Sequence, residues 1–331
     1  MREHTSYDRR MRRLRALWAA AVLGGAVASC GSRTGLFTEG FGVGTVTEGP
    51  HTIGEAGADG TIVVDTGLDA LPPIDVMPKP DVDRTDCPDA DATFIYVVTE
   101  QQELFSFFPP TLTFKLVGNL VCPAGSATPF SMAVDRRGVA YVLYNDGSLY
   151  RVSTATGACT ATPFAVGQGG FTTFGMGFAS DFGGAAERLY VSQNDTDTTA
   201  PNGLAFIDTS SFALSFIGLF GTNIPRSELT GTGDGRLFAY WPSGSGLLGS
   251  HLSELNKATG AVLAQTDLSV GSSNDAFAFA FWGGDFWIFT GAPGAPSDVS
   301  RFRPADGTTT TPTTHPSTIV GAGVSTCAPS L

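Results

Sequence analysis

The chain has 331 residues and a formal net charge of −12, with 19 basic against 31 acidic side chains. An acidic balance of this size repels nucleic acid and anionic lipid headgroups, which argues against both as partners. Glycine accounts for 42 residues and phenylalanine for 24, whereas charged residues make up only 15 %. This mixture favours many short strands joined by tight turns over a helical fold.

The N-terminal residues form an expected export signal, residues 1–29. Met1–Arg15 has six arginines against two acidic residues, a net charge of +4, so the remaining chain carries −16. Ala16–Ala28 is an apolar run shorter than the roughly 20 residues that a spanning helix needs. The run leads into Val27-Ala28-Ser29-Cys30-Gly31, which resembles the lipobox of bacterial lipoproteins. The resemblance implies that Cys30 is lipidated and anchors the mature chain; a cleaved signal peptide with an unmodified cysteine is the alternative.

Residues 30–91 are predicted to be a flexible tether. The opening Cys30–Leu36 resembles the start of lipoproteins from myxobacteria-like species, and glycine after the cysteine implies outer-membrane sorting. Gly35–Gly60 is rich in glycine and threonine, and Leu71–Pro80 is proline-spaced and so extended. Aspartates crowd the end of the tether, as a calcium loop would require. The loop's usual glycine and glutamate are missing, which favours a solvated linker.

A four-strand pattern is clearest in Phe130–Phe164. Two runs rich in β-branched and aromatic residues flank Asn145-Asp146-Gly147, which is a strong hairpin signal. Ser148–Thr154 then alternates apolar and polar residues, and Ala155-Thr156-Gly157 predicts a further turn. The segment is therefore predicted to form one antiparallel sheet of four short strands, which needs neighbouring sheets on its faces.

This unit repeats to the end of the chain. An aromatic residue recurs in each second strand at spacings of 45, 49, 48 and 48 residues: Tyr96, Tyr141, Tyr190, Phe238 and Phe286. An aspartate is expected at the end of each first strand, one short turn before the next strand: Asp135, Asp181, Asp234 and Asp285. Four-stranded repeats of this period predict an all-β fold, a single β-propeller over residues 92–331. Five blades are expected, with six or seven as alternatives.

The two ends of the repeat region are complementary. The first repeat lacks its first strand, and Ile319–Cys327 supplies a first strand that no second strand follows. The C-terminal strand is therefore predicted to complete the first blade and close the ring. Four cysteines follow Cys30, an even number that allows three pairings in an exported chain. Ring closure favours Cys87–Cys327, and Cys122–Cys159 follows by exclusion.

Three connections between second and third strands are long, and they share a face with the crossings between blades. Long loops on one face of a repeat ring favour binding there, and a protein or glycan ligand is expected. The candidate contacts are Asp195, Asp197, Asn202, Trp241 and Asn274; tolerated insertion is the alternative explanation for these loops.

The sequence shows none of the common catalytic motifs, and the two histidines of the repeat region, His251 and His315, are expected to be ordinary strand or surface residues. Leu255–Leu263 resembles the turns of quinoprotein-type propellers but lacks the tryptophan that follows them. No catalytic residue, metal or cofactor is therefore expected. The predicted function is a lipid-anchored binding or scaffold module of the cell envelope, not an enzyme. The alternative is a propeller hydrolase or lyase acting on a sugar or lactone.

Overall fold

The segment with the clearest sequence pattern forms the sheet that was predicted for it. Its middle hairpin, between the second and third strands, turns at Gly147, whose φ of +84° suits a residue without a Cβ. The Asp146 carboxylate accepts a hydrogen bond from the Ser148 amide at 2.9 Å, which fixes the same turn. The turn between the third and fourth strands places Gly157 at a φ of +74°. Local turn chemistry therefore sets the register of these strands.

The computed structural model describes residues 74, 87, 93–181, 186–194, 202–243, 249–270 and 276–330. The first ten strands are β1 (Ile95–Thr99), β2 (Glu103–Phe108), β3 (Thr113–Asn119), β4 (Pro129–Val134), β5 (Val139–Tyr144), β6 (Leu149–Ser153), β7 (Cys159–Ala161), β8 (Phe174–Ser180), β9 (Glu187–Gln193) and β10 (Gly203–Ile207). The others are β11 (Leu214–Leu219), β12 (Glu228–Gly231), β13 (Leu237–Pro242), β14 (Ser250–Leu255), β15 (Val262–Leu268), β16 (Ala276–Trp282), β17 (Asp285–Gly291), β18 (Ser297–Arg303), β19 (Thr308–His315) and β20 (Ile319–Val324). Short 3-10 turns lie at Pro109–Thr111 and Gln168–Gly170.

The strands form five antiparallel four-stranded sheets, which we number as blades. Blade 1 has the order β20-β1-β2-β3, and blades 2 to 5 take β4–β7, β8–β11, β12–β15 and β16–β19 in chain order. The first strand of each blade contacts the first strands of the two neighbouring blades, and β16 contacts β20. The five sheets thus form a closed ring, a five-bladed β-propeller, as the sequence predicted.

The ring is closed by pairing between the beginning and the end of the repeat region. β1 pairs with β20 in antiparallel register, with Ile95 opposite Val324 and Val97 opposite Ala322. The predicted complementation of blade 1 by the C-terminal strand is therefore confirmed. The pairing covers a strand edge that would otherwise be open.

Glycines allow the innermost strands to approach one another. A Cβ on Gly177 would lie 2.5 Å from the Leu229 carbonyl oxygen, and one on Gly323 would lie 2.8 Å from the Val134 amide nitrogen. Neither position leaves room for a side chain without movement of the backbone. The Gly-x-Gly pattern of these strands is thus explained by close packing around the axis.

Aromatic side chains fill the spaces between adjacent blades. The Tyr141 ring lies 5.4 Å from that of Phe178, and the Phe238 ring lies 4.9 Å from that of Phe286, centroid to centroid. The five aromatic residues of the repeat all lie on second strands, as expected. The expectation for Asp285 is wrong, because this residue opens β17 opposite Trp282, and two glycines make the turn.

Both predicted disulfides are present. Cys87 bonds to Cys327 with Cα atoms 5.8 Å apart, and Cys122 bonds to Cys159 with Cα atoms 5.1 Å apart. The first bond joins the segment before blade 1 to the residues after β20. The second joins the crossing between blades 1 and 2 to the outermost strand of blade 2.

The described residues all belong to one unit, Asp65–Leu331. Within that described part, no helix is long and apolar enough to cross a membrane. The predicted leader, Cys30 and the aspartate-rich end of the tether lie outside the described residues.

Candidate functional site

The ring has two ends, which we name by the direction of the innermost strands β20, β4, β8, β12 and β16. The upper mouth is the end at which these strands begin, and the lower mouth is the end at which they finish. Second strands end, and third strands begin, on the upper side. The long loops predicted to carry binding therefore connect strands at the upper mouth.

A cavity of about 80 Å³ lies in the upper mouth, and all five blades contribute to its lining. The contributing side chains include Val320 from blade 1, Phe130 from blade 2, Asn194 from blade 3, Arg226, Ser227 and Glu228 from blade 4, and Phe277 from blade 5. The walls are thus largely apolar, with a few polar groups that converge on the axis. This combination is typical of a ligand pocket.

Glu228 is the buried acid of this site. Its carboxylate oxygen accepts a hydrogen bond from the Ser131 hydroxyl at 2.6 Å, so the side chain joins blade 4 to the non-adjacent blade 2. Burial raises the pKa of Glu228 well above its usual value, although the Ser131 hydroxyl, the Met176 amide and the charge of Arg226 oppose the shift. Burial therefore opposes ionisation of this acid.

Arg226 and Phe277 form the charged and aromatic side of the mouth. The guanidinium carbon of Arg226 lies 4.8 Å from the centre of the Phe277 ring, which is a cation–π contact. Arg226 is partly exposed and follows Pro225, which fixes the backbone of the approach to β12. Serine hydroxyls of Ser192 and Ser227, 2.5 Å apart, tie this segment to blade 3.

Asn202 positions the segment that carries Arg226. Its side-chain amide donates to the Ile224 carbonyl at 2.6 Å, and its side-chain oxygen accepts from the Ile224 amide at 3.5 Å. The Ile224 side chain is fully buried beside this clamp. The structure therefore places this predicted binding residue behind the mouth, where it holds the crossing between blades 3 and 4.

Trp241 lies on the upper side of blade 4, at the end of β13. Its ring stacks on that of His251, with centroids 4.0 Å apart, and its indole nitrogen donates to the Ser253 hydroxyl at 3.2 Å. Trp241 is half-buried and keeps part of its surface exposed. The other three predicted contacts, Asp195, Asp197 and Asn274, lie outside the described residues.

The lower mouth is covered by the chain itself. Thr326 donates to the Glu187 carboxylate at 2.9 Å and accepts from the Arg136 guanidinium at 3.2 Å. Farther along, the Pro329 carbonyl accepts from the Gly283 amide at 2.7 Å, on the opposite side of the ring. Residues 325–328 are buried. The segment after β20 thus lies across the lower mouth and leaves the upper mouth as the way into the axis.

Buried charges accompany this cover. The Arg136 side chain is 3 % exposed and also donates to the Ser180 hydroxyl at 3.3 Å. Burial raises the pKa of Glu187 to about 7, while the Arg136 amide and the Thr326 hydroxyl oppose the shift. These groups hydrogen-bond to one another, which suits a structural role.

No group of three or more histidine, cysteine, aspartate or glutamate side chains is placed to hold a metal ion among the residues that the structure describes. The aspartates of the tether are not among those residues, so the calcium-loop alternative stays untested.

Sequence reasoning missed Glu228 and Arg226. Glu228 is the only acidic residue between Asp208 and Asp234, and it stands at the start of a first strand, where the pattern predicts small or apolar residues. In the repeat, this position lies near the axis and is expected to be small or apolar. A charged residue there is the signal that would have identified Glu228.

No family model matches the chain, and no curated protein matches it. Solved structures that are similar include a luciferin-regenerating enzyme (12 % identity, TM-score 0.38, 62 % of this chain and 68 % of that one), the Dos1 propeller (12 %, 0.36, 70 % and 55 %) and TolB from Acinetobacter baumannii (15 %, 0.39, 67 % and 52 %). The matches therefore span about half the length of the Dos1 and TolB chains. None of these similarities carries an argument about activity, substrate or partner.

Proposed function

We propose that this protein is an exported, lipid-anchored binding module of the cell envelope that receives its ligand at the upper mouth. Two disulfides support export, since such bonds persist in oxidising compartments. The lipobox-like residues around Cys30 support the anchor, and Gly31 supports sorting to the outer membrane. The tether would hold the propeller away from the lipid surface.

The observation that carries the binding proposal is the convergence of all five blades on one small, mostly apolar cavity. Phe130 and Phe277 offer ring surfaces, Arg226 offers donors, and Glu228 offers a buried carboxyl group for hydrogen bonding. Because the cavity is small, it would hold one end of a ligand, either a sugar residue or a partner side chain. The exposed rim would contact the remainder.

We propose binding at the axis and not catalysis. The one carboxyl group described there is engaged by the Ser131 hydroxyl and the Met176 amide. Hydrolysis of a glycosidic bond ordinarily needs two carboxyl groups in different protonation states, one on each side of the bond. The sugar or lactone hydrolase remains the competing function for this mouth.

A glycan array tests the binding proposal directly. The purified propeller should bind a defined set of glycans, and Arg226→Gln should lose that binding while it melts like the parent. If the array is negative, a photo-crosslinking residue placed at Phe130 in cells should yield one discrete protein adduct that Arg226→Gln abolishes. Failure of both arms would refute an axial binding site, whereas turnover of an array glycan would favour the hydrolase.

Metabolic labelling with an alkyne palmitate tests the anchor. The parent chain should incorporate the label and fractionate with the outer membrane, and Cys30→Ser should lose both properties. Cys122→Ser is the matched control, because Cys122 belongs to the propeller and not to the proposed lipidation site. Label retained in Cys30→Ser would contradict lipidation at this residue.

A further inference from the structure

Three polar side chains on the upper side of blade 4 form a continuous hydrogen-bonded chain. The Ser243 hydroxyl lies 2.8 Å from Nε2 of His251, and Nδ1 of the same imidazole lies 2.7 Å from the Asp267 carboxylate. Ser243 directly follows β13, His251 lies in β14 and Asp267 lies in β15. Three neighbouring strands thus bring together residues that are 8 and 16 positions apart.

Chemistry fixes the direction of the hydrogen bonds in this chain. A carboxylate oxygen only accepts, so Nδ1 of His251 carries the proton that it donates to Asp267. Nε2 is then the acceptor, and the Ser243 hydroxyl donates to it. A hydroxyl that donates to an imidazole, which in turn donates to a carboxylate, is the order required to activate a serine as a nucleophile.

The imidazole is held in place from both sides. His251 is directly opposite Trp241 on one neighbouring strand and Asp267 on the other. The Trp241 ring covers it, and the Gln265 amide lies 3.4 Å from Nδ1, farther away than the carboxylate. The Ser243 amide donates to the Gly249 carbonyl at 3.1 Å, which fixes the backbone of the serine.

Solvent exposure limits how strongly these side chains can activate the serine. The His251 side chain is 19 % exposed and that of Asp267 is 80 % exposed. Water therefore screens the interaction between carboxylate and imidazole, and Asp267 acts mainly by orienting the ring. An exposed site of this kind suits small, activated and accessible substrates.

We propose that Ser243 is the nucleophile of an esterase site on the upper side of blade 4, with His251 as general base and Asp267 as its positioning residue. The substrate class is a carboxylic ester with a short acyl group, whose apolar part would lie against Trp241. This activity is separate from the proposed axial binding, and the failure of either leaves the other standing.

The reaction takes two steps and needs only water as co-reactant. Ser243 Oγ bonds to the ester carbonyl carbon while its proton passes to Nε2 of His251; the carbon–alkoxide bond then breaks, and the alcohol leaves with that proton. Water next attacks the acyl-serine, again giving its proton to His251. Loss of the carboxylic acid restores the serine hydroxyl and the neutral imidazole.

The test combines an active-site label with turnover of p-nitrophenyl acetate and butyrate by the intact propeller. A fluorophosphonate probe should modify Ser243, as peptide mass spectrometry would show, and the parent should hydrolyse both esters. Ser243→Ala and His251→Asn should reduce both signals to background. Asp267→Asn should lower turnover about tenfold, less than at a buried triad because of its exposure. Ser210 hydrogen-bonds to an aspartate and, among the described residues, to no histidine. Ser210→Ala should therefore match the parent in both labelling and turnover.

A second variant separates activation of the serine from effects on folding. In Ser243→Cys, the thiol should react with iodoacetamide faster than in Ser243→Cys/His251→Asn, with both proteins melting like the parent. The proposal is overturned if Ser243→Ala retains the parent's turnover, if the probe modifies a different residue, or if the parent shows neither labelling nor hydrolysis.

Discussion

The two mouths are made from opposite ends of the same five strands, yet they differ in what covers them. At the upper mouth, apolar side chains surround a cavity of about 80 Å³ and one buried acid, Glu228. At the lower mouth, the segment after β20 fills the space and joins Arg136 and Glu187 in a hydrogen-bonded cluster. The ring itself is nearly symmetric, so the connecting segments decide which end stays open and which end is sealed.

The largest expected effect comes from releasing the cover of the lower mouth. Cys87→Ser/Cys327→Ser opens a loop with a sequence separation of 240 residues. Chain-entropy models give a loss of about 5 kcal/mol in the free energy of unfolding for a loop of this length. Chemical denaturation measures the loss, and faster amide exchange at residues 325–328 would show that the cover itself is released.

Cys122→Ser/Cys159→Ser is the matched control, with a separation of 37 residues. It should cost about 4 kcal/mol by the same entropy relation and leave amide exchange at residues 325–328 unchanged. Equal loosening of the lower mouth in both variants would contradict a specific role for the bond to Cys327.

The pH dependence of stability should come from the lower mouth. Because the folded-state pKa of Glu187 is about 7 against an ordinary 4.5, the folded protein holds this proton more tightly than the unfolded chain. The stabilisation is full below about pH 4.5, declines as the pH rises to about 7 and is constant above that, a change of about 3 kcal/mol. Urea denaturation at about pH 5 and pH 8 measures it.

Glu187→Gln cannot ionise and should abolish most of this slope. Asp208→Asn serves as the control, because the pKa of Asp208 is lowered to about 2 by hydrogen bonds from Ser210 and Ser211, outside the pH window. An unchanged slope in Glu187→Gln would assign the titration to another group.

The smallest effect is expected at the upper mouth. Because burial raises the pKa of Glu228 and opposes its ionisation, Glu228→Gln should change the free energy of unfolding by less than about 1 kcal/mol. Ser131→Ala, which removes the hydroxyl that donates to Glu228, should cost about 1 kcal/mol. Equilibrium denaturation at pH 7 checks both variants. A loss above about 3 kcal/mol in Glu228→Gln would show that a charged pair with Arg226 is buried there.

The repeat made the ring predictable from local information. Turn residues and the spacing of Tyr96, Tyr141 and their equivalents located the second strands, because each blade is formed by neighbouring segments of the chain. The missing first strand at one end and the additional one at the other predicted both the closure and the Cys87–Cys327 bond. The prediction for Asp285 was wrong because two glycines alone form the turn that precedes β17.

The site was less predictable because it is assembled from distant segments. Glu228 meets Ser131 across the axis at a sequence separation of 97, and no local pattern relates the two. Asn202 was predicted to contact a ligand because it ends a long loop, whereas its side-chain amide hydrogen-bonds to the backbone of Ile224. His251 looked isolated along the sequence, and only the pairing of three strands brings Ser243 and Asp267 to it.

The pairing of β1 with β20 has a consequence for biosynthesis. The first blade remains incomplete until the segment around residues 319–327 has been made, so a nascent chain lacking it has an open ring with unpaired edges. On the proposed export route, such a chain would stay competent for passage through a membrane in an unfolded state. Maturation would then be completed by the last strand together with oxidation of Cys327, after both have reached the compartment where the protein works.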